Sequence, residues 1–358
     1  MEKSNKDYKF VELQPTDVVN PLNLYNNTPL TQASFYGQWQ KSIGKEVRSF
    51  AIYDNTEQAV LYMQLVRCSF PFGKSYYTCS YGPVFKQEHF NEELLEFLKL
   101  NLQNVFKEDE SLIFTRMDFS PTLSKEQNKT ANYIFTKSHW TNVHGAHFQP
   151  RREWALPLQQ SEKEILANMH QKTRYNIRLS TRKGVQTEIV TENLNKYTED
   201  FYNAQALTAQ RNGFGLHERK YYEAVLQSCD TNKNAYLVIA RLNDKIITIN
   251  LCIVYGNVAM FIFGGSSNEH RNLMPSYLAQ WEGIKHAKKL GLEYYNFGGY
   301  FDADGPRVKK KTLQKRSQYS VFKRKFGGFA LEHSNFYDMV HNRLWYRIYT
   351  IYKFFKHV

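Results

Sequence analysis

The sequence predicts an α+β fold in which one arrangement of elements is used twice, and three observations predict it. Two stretches read in the same order, as three antiparallel strands, a helix and a further strand. Helical and strand periodicities alternate at ordinary element lengths. The chain, 358 residues of which 42% are hydrophobic, is long enough to bury two cores.

In the first copy, Arg48 to Tyr53, a polar turn at Asp54-Asn55-Thr56-Glu57, Ala59 to Val66 and Tyr76 to Tyr81 place β-branched and aromatic residues between turn formers, the pattern of a β-meander. Leu94, Leu95, Phe97, Leu98 and Leu102 recur at helical spacing across Glu92 to Phe106, and Leu112 to Met117 reads as the next strand. In the second copy, Ala235 to Arg241, a turn at Asn243-Asp244, Ile246 to Val254 and Ala259 to Phe263 form another meander. A helix from Pro275 to Lys289 follows, stopped by Gly291, and the strand Tyr294 to Phe297 ends in a glycine pair.

Between the copies, Arg151-Arg152 leads into a strand at Trp154-Ala155-Leu156-Pro157-Leu158, and Ser161 with Glu164 forms a capping box that starts a new helix. The predicted domains are residues 1–150 and 151–330, with 331–358 a C-terminal helical segment packed back on the body. That segment sets Trp345, Tyr346, Tyr349 and Tyr352 among Arg343, Arg347 and Lys353. It reads as a helix docked on the protein's own core, or as a peripheral contact with the anionic inner face of a membrane.

A formal net charge of +13 points to a polyanionic partner: nucleic acid, a pyrophosphate-bearing substrate or an anionic lipid surface. Cys68, Cys79, Cys229 and Cys252 are scattered, as neither a zinc site nor a disulfide framework would have them, which suits a reducing compartment. Met1 to Lys9 is charged and polar without the apolar run of a signal peptide, and no apolar run is long enough to span a bilayer, so the expected location is cytoplasmic. His139, His144 and His147 lack the cysteine or carboxylate that would complete a metal set, and no P-loop or dinucleotide fingerprint occurs. Neither a cofactor nor a metal is expected.

Two motifs carry the functional reading. Tyr295-Asn296-Phe297-Gly298-Gly299 is a short buried strand ending in glycines, where a substrate backbone can approach with no Cβ in the way. Further on, Phe322-Lys323-Arg324-Lys325-Phe326-Gly327-Gly328 delivers a lysine between aromatics. These stretches resemble the C-terminal signature of the Fem family, the peptidoglycan interpeptide-bridge aminoacyltransferases. Lys172 to Val185 (KTRYNIRLSTRKGV) resembles the same family's central helix, and Ser80-Tyr81-Gly82-Pro83-Val84 and Phe263-Gly264-Gly265-Ser266-Ser267 its small-residue turns. The likeness covers roughly residues 30 to 355. It implies two tandem acetyltransferase-like domains packed as one body, and the absence of heptads between Thr191 and Asn234 marks the compact form without a coiled-coil arm.

The resemblance also implies an activity: transfer of an amino acid from aminoacyl-tRNA to the stem peptide of a nucleotide- or lipid-linked peptidoglycan precursor, by a monomer. Lys323, beside Phe322, is then the group that stabilises the oxyanion of the tetrahedral intermediate. Asp118 matches an acidic position of the family and is the candidate base. Substrate contacts are expected from Arg211, whose planar fork suits a pyrophosphate, from Tyr222, Phe263, Ser266, Gly298 and Gly299, and from Lys41, although the spacing to Gly44 favours Gln40 for that place. Arg174, Arg178 and Arg182 share one helix face at i, i+4 and i+8 and, with Lys309, Lys310 and Lys311, make either a tRNA-facing stripe or a solvated charged face. Asn296 stands where relatives have aspartate, and Phe263 where compact relatives have tyrosine.

Two other readings share the fold. An acyl-CoA-dependent N-acyltransferase needs a glycine-bearing loop that cradles pyrophosphate at a helix N-terminus, and Arg211-Asn212-Gly213-Phe214-Gly215 comes one residue short of it. A basic RNA- or membrane-surface-binding protein would keep the fold and have lost the chemistry.

Overall fold

The computed structural model describes residues 8–14, 16–17, 19–120, 122–136, 140–143, 150–300, 319–333 and 336–357. The chain divides into two compact units, one of Met1–Arg151, Pro306–Val308 and Glu332–Val358, the other of Arg152–Gly305 and Lys309–Leu331.

The first unit begins with β1 (Lys9–Glu12), α1 (Ser34–Ser42), β2 (Val47–Tyr53), β3 (Ala59–Phe70), β4 (Lys74–Cys79), β5 (Val84–Phe85), α2 (Glu92–Val105), β6 (Leu112–Asp118), α3 (Lys125–Thr136) and β7 (Trp140–Val143). The second unit runs β8 (Arg152–Pro157), α4 (Glu162–Asn168), α5 (Gln171–Arg182), β9 (Gln186–Val190), α6 (Thr198–Asn212), α7 (Arg219–Asn232), β10 (Ala235–Leu242), β11 (Lys245–Tyr255), β12 (Val258–Ser266), α8 (Pro275–Lys289), β13 (Tyr294–Gly299), a short helix α9 (319–324) and β14 (Phe329–Glu332). The chain then returns to the first unit with β15 (Phe336–Val340) and α10 (Arg343–His357).

The first sheet is ordered β1-β2-β3-β4-β6-β15-β7, with β5 also paired to β3, and the second β14-β8-β13-β12-β11-β10-β9. Each holds an antiparallel meander, a helix, and a parallel strand beside the meander's last member: β6 beside β4, and β13 beside β12. The helices close the cores. Leu94, Leu95, Leu98 and Leu102 of α2 bury their stripe against Phe50, Leu61 and Met63, and Leu278, Ile284 and Ala287 of α8 against Tyr236, Val238 and Tyr295. The Ser161–Glu164 capping box forms at the start of α4, each side chain taking up a backbone N–H of the other's residue.

The tail departs from the helical expectation for 331–358. It starts with strands, and β15 pairs on both sides, with β6 (Phe336↔Asp118) and with β7 (Phe336↔Val143). Covered on both edges and both faces, Phe336 to Met339 are all buried and lose the alternation by which a strand is read. The helix follows. Asn342 caps α10, its side chain accepting from the Trp345 N–H at 3.1 Å, and Tyr349 packs on Phe70, Tyr76 and Phe114. Between Thr191 and Asn234 lie only two short helices, α6 and α7, joined to the 3-10 turn Leu194–Tyr197.

Candidate active site

The second unit holds a site where its parallel strands part. Hydrogen bonding between β12 and β13 ends at Met260↔Asn296. Beyond it β13 bulges against β8, the four residues from Asn296 to Gly299 facing the three from Ala155 to Glu153, and Gly298 takes a left-handed φ of +72° that favours glycine. A Cβ there would lie 3.6 Å from the Phe261 carbonyl and 4.0 Å from Lys323 Nζ.

Lys323 fills this opening from α9. It is 4% exposed, and its Nζ donates to Gly299 O at 2.6 Å and lies 5.0 Å from the Tyr319 ring. Phe322 anchors the helix edge-on to Tyr277 at 4.9 Å and Phe326 at 5.3 Å. Burial pushes the Lys323 ammonium down to about 8, and the Glu153 carboxylate acts against that fall. Glu153 is itself buried and accepts from Asn296 Nδ2 at 2.9 Å, while Asn296 Oδ1 accepts from the Gly298 N–H at 2.7 Å. The departure at 296 thus has a local reason: an amide can donate to Glu153 and accept from Gly298, whereas an aspartate would set a second carboxylate against Glu153.

A second group gathers on the neighbouring strand, β12. Arg211, at the end of α6, donates through Nη1 to Ser266 O at 3.1 Å and Asn268 Oδ1 at 2.6 Å, and through Nη2 to Ser266 Oγ and Thr208 Oγ1. Tyr222 and Phe263 meet edge to face at 5.5 Å, with Tyr221 6.2 Å from Phe263. Burial, and secondarily Arg271, lower the pKa of Arg211, and the Tyr319 phenol acts in the other direction. The structure thus brings Arg211 to Ser266, Tyr222 to Phe263, and Lys323 to Gly298 and Gly299, while Phe322 packs on Tyr277 and Phe326.

The Arg211–Gly215 stretch does not serve as a pyrophosphate loop. It ends α6, with Gly213 as its left-handed cap at φ +68°, so it lies at the carbonyl pole of a helix rather than the amide pole. The basic stripe on α5 divides. Arg174 turns back and donates to Ala167 O at 3.0 Å and to Met169 O, satisfying carbonyls left over at the end of α4, while Arg178 and Arg182 are exposed. Lys309, Lys310 and Lys311, with His139, His144 and His147, lie outside the described residues.

In the first unit, Asp118 closes β6 with 1% exposure. Its Oδ1 accepts the Tyr81 N–H at 2.6 Å, and Oδ2 has no hydrogen-bond partner among the described residues. Burial raises its pKa to about 7 against the pull of His333, the Tyr81 and Gly82 backbone and Arg116. Lys41 is exposed on α1, whereas Gln40 is buried and accepts from Lys45 Nζ at 2.8 Å.

Sequence reasoning missed Glu153, Tyr277 and Tyr319. A signal for Glu153 existed: it is a charged residue inside Arg152–Pro157, in a strand whose neighbours Ala155 and Leu156 are core residues.

Known proteins share this architecture. A family model described as an acetyltransferase (GNAT) domain matches residues 168–306. The crystal structure of FemX matches with a TM-score of 0.76 at 17% identity, covering 93% of this chain and 98% of that one. A tandem GNAT protein from the clavulanic acid biosynthesis pathway matches with a TM-score of 0.55 at 9% identity, covering 94% and 99%. The fold is a tandem GNAT-type fold. A lipid II:glycine glycyltransferase of Staphylococcus epidermidis is 22% identical over 90% of this chain and 90% of its own length, and one from Staphylococcus aureus 20% identical over 76% and 80%. Within the tandem GNAT class, the chain is Fem-like along nearly its whole length.

Proposed function

We propose that this chain is an aminoacyltransferase that extends the stem peptide of a lipid-linked peptidoglycan precursor, using aminoacyl-tRNA as donor. The observation that carries the reading is Lys323: a buried ammonium with one N–H on Gly299 O, set where two strands part beside a bulge with a left-handed glycine. The names of the relatives, lipid II:glycine glycyltransferases, favour a lipid-linked acceptor and glycine as the transferred residue.

In this reaction the acceptor amine attacks the carbonyl carbon of the aminoacyl ester. A C–N bond forms, the ester C–O bond breaks, and the ribose hydroxyl leaves with the proton that the amine gives up. Conversion of an ester to an amide is downhill, so no further energy source enters. Negative charge develops on the carbonyl oxygen in the transition state, where a fixed ammonium in a water-poor site stabilises it more than it stabilises the neutral ester. A value of about 8 keeps Lys323 largely charged at neutral pH. Asp118, near 7, has the acidity of a proton acceptor working at the same pH.

The test incubates the purified protein with a pool of charged tRNAs and, separately, with lipid-linked and nucleotide-linked precursor, and reads product mass. An added aminoacyl residue on the lipid-linked precursor, dependent on charged tRNA, is the expected result. Transfer from acyl-CoA with none from charged tRNA would replace this reading.

A further inference from the structure

We propose that the outer face of α10 and the tip of the β3–β4 hairpin form one surface that docks on an anionic lipid bilayer. The inner face of α10 is committed to the first unit's core through Trp345, Tyr346 and Tyr349. The opposite face is apolar as well. Leu344, Ile348 and Ile351 recur at i, i+4 and i+7 with Tyr352 beside them, and Leu344 and Ile351 are 67% and 57% exposed. An ordinary surface helix carries polar residues there.

The hairpin tip joins this face. Phe72, held at a left-handed φ of +62° between Pro71 and Gly73, is 84% exposed, and its ring lies 6.0 Å from Trp345. The neighbouring Phe70 meets Tyr352 edge-on at 5.3 Å. A bulky aromatic this exposed at a turn tip, in a conformation that suits glycine better, adds little to the packing of the fold.

Charge selects the occupant. From Met339 to Val358 the chain carries Arg343, Arg347, Lys353 and Lys356 and no Asp or Glu, and the hairpin adds Lys74, whose Nζ sits 5.4 Å from the Trp345 ring. Apolar side chains projecting from two elements, with long cations and the exposed Tyr352 around them, match the depth profile of a lipid interface: hydrocarbon inward, an aromatic at the headgroups, cations on the phosphates. α10 has 15 residues, and no described helix is long and apolar enough to cross a membrane, so the contact is one of docking rather than spanning.

The inference does not rest on the transfer reaction, and its test needs no substrate. Flotation with phosphatidylcholine vesicles, with and without about one-third phosphatidylglycerol, measures partitioning of the full chain. The wild type is expected to float with the anionic vesicles and to be released by salt. Phe72→Ser/Leu344→Gln/Ile351→Gln, three changes at exposed positions, should lower the partition coefficient at least about tenfold with an unchanged melting temperature. Phe72→Ser alone should lower it about threefold, and Arg178→Gln/Arg182→Gln, in the second unit, by less than about twofold. Failure of the wild type to bind, or equal binding by the triple variant, would overturn the proposal. So would a wild-type dimer that the triple variant turns into a monomer, since the face would then belong to a second copy.

Discussion

The two units end the same strand in opposite ways. In the first, β6 pairs with β4 as far as Met117, and the next residue, Asp118, stays in a regular ladder, opposite Phe336 of β15. In the second, β13 leaves β12 after Asn296, bulges, and opens on Lys323. Each strand end holds one buried ionisable group, and burial drives both toward neutrality, the carboxyl up to about 7 and the ammonium down to about 8. The same topology thus brings an acid and a cation into the working pH range. What differs is the end of the strand: a regular ladder continues past the first group, whereas a bulge with a left-handed glycine stands beside the second.

The largest expected effect follows from that difference. Lys323→Met should lower the rate of transfer about 10²- to 10³-fold, the usual loss for one transition-state donor, with little change in KM for either substrate. Steady-state kinetics on both substrates would check it, and a rate within about threefold of wild type would make Lys323 a structural residue.

A second outcome separates Asp118 by stability. Its folded pKa lies above the ordinary carboxyl value of 3.8, so the stability it contributes is fully present below about pH 4 and is lost as pH rises through 7. Asp118→Asn removes the buried charge. Denaturant unfolding at pH 5 and pH 8 should show the wild type losing on the order of 1 to 4 kcal/mol more than the variant between the two. Equal slopes would place the charge in contact with water.

The smallest effect concerns the α5 stripe. Because Arg174 holds the carbonyls at the end of α4, Arg174→Ala should cost about 0.5 to 1.5 kcal/mol of stability and leave tRNA affinity alone. Arg178→Gln/Arg182→Gln should do the reverse, flattening the log-log salt dependence of tRNA binding by a slope of roughly 0.7 to 0.9 for each phosphate no longer neutralised. Filter binding across a salt series, beside a thermal melt, separates the two.

The sequence made the meanders, α2, α8 and the capping box at Ser161 legible because each is local: turn formers, a 3.6-residue stripe and a cap lie within one element. The glycine pair and Lys323 were legible as motifs. What could not be read was set by partners far along the chain. β15 is a strand because β6, over two hundred residues away, offers it an edge, and the role of Glu153 depends on Asn296, on the adjacent strand but far along the chain. Arg174 looked like its neighbours at i+4 and i+8 until the fold put the end of α4 within its reach.

The central claim, that Lys323 acts as an ammonium, is tested most directly by the pH dependence of single-turnover transfer, with enzyme in excess over charged tRNA and precursor saturating. The rate should fall as pH rises through about 8, as the ammonium loses its proton. Glu153→Gln removes the carboxylate that favours the charged form, so it should move this limb to lower pH. A rate that instead rises through pH 8, or a limb that Glu153→Gln leaves in place, would show that the charged lysine is not what stabilises the transition state.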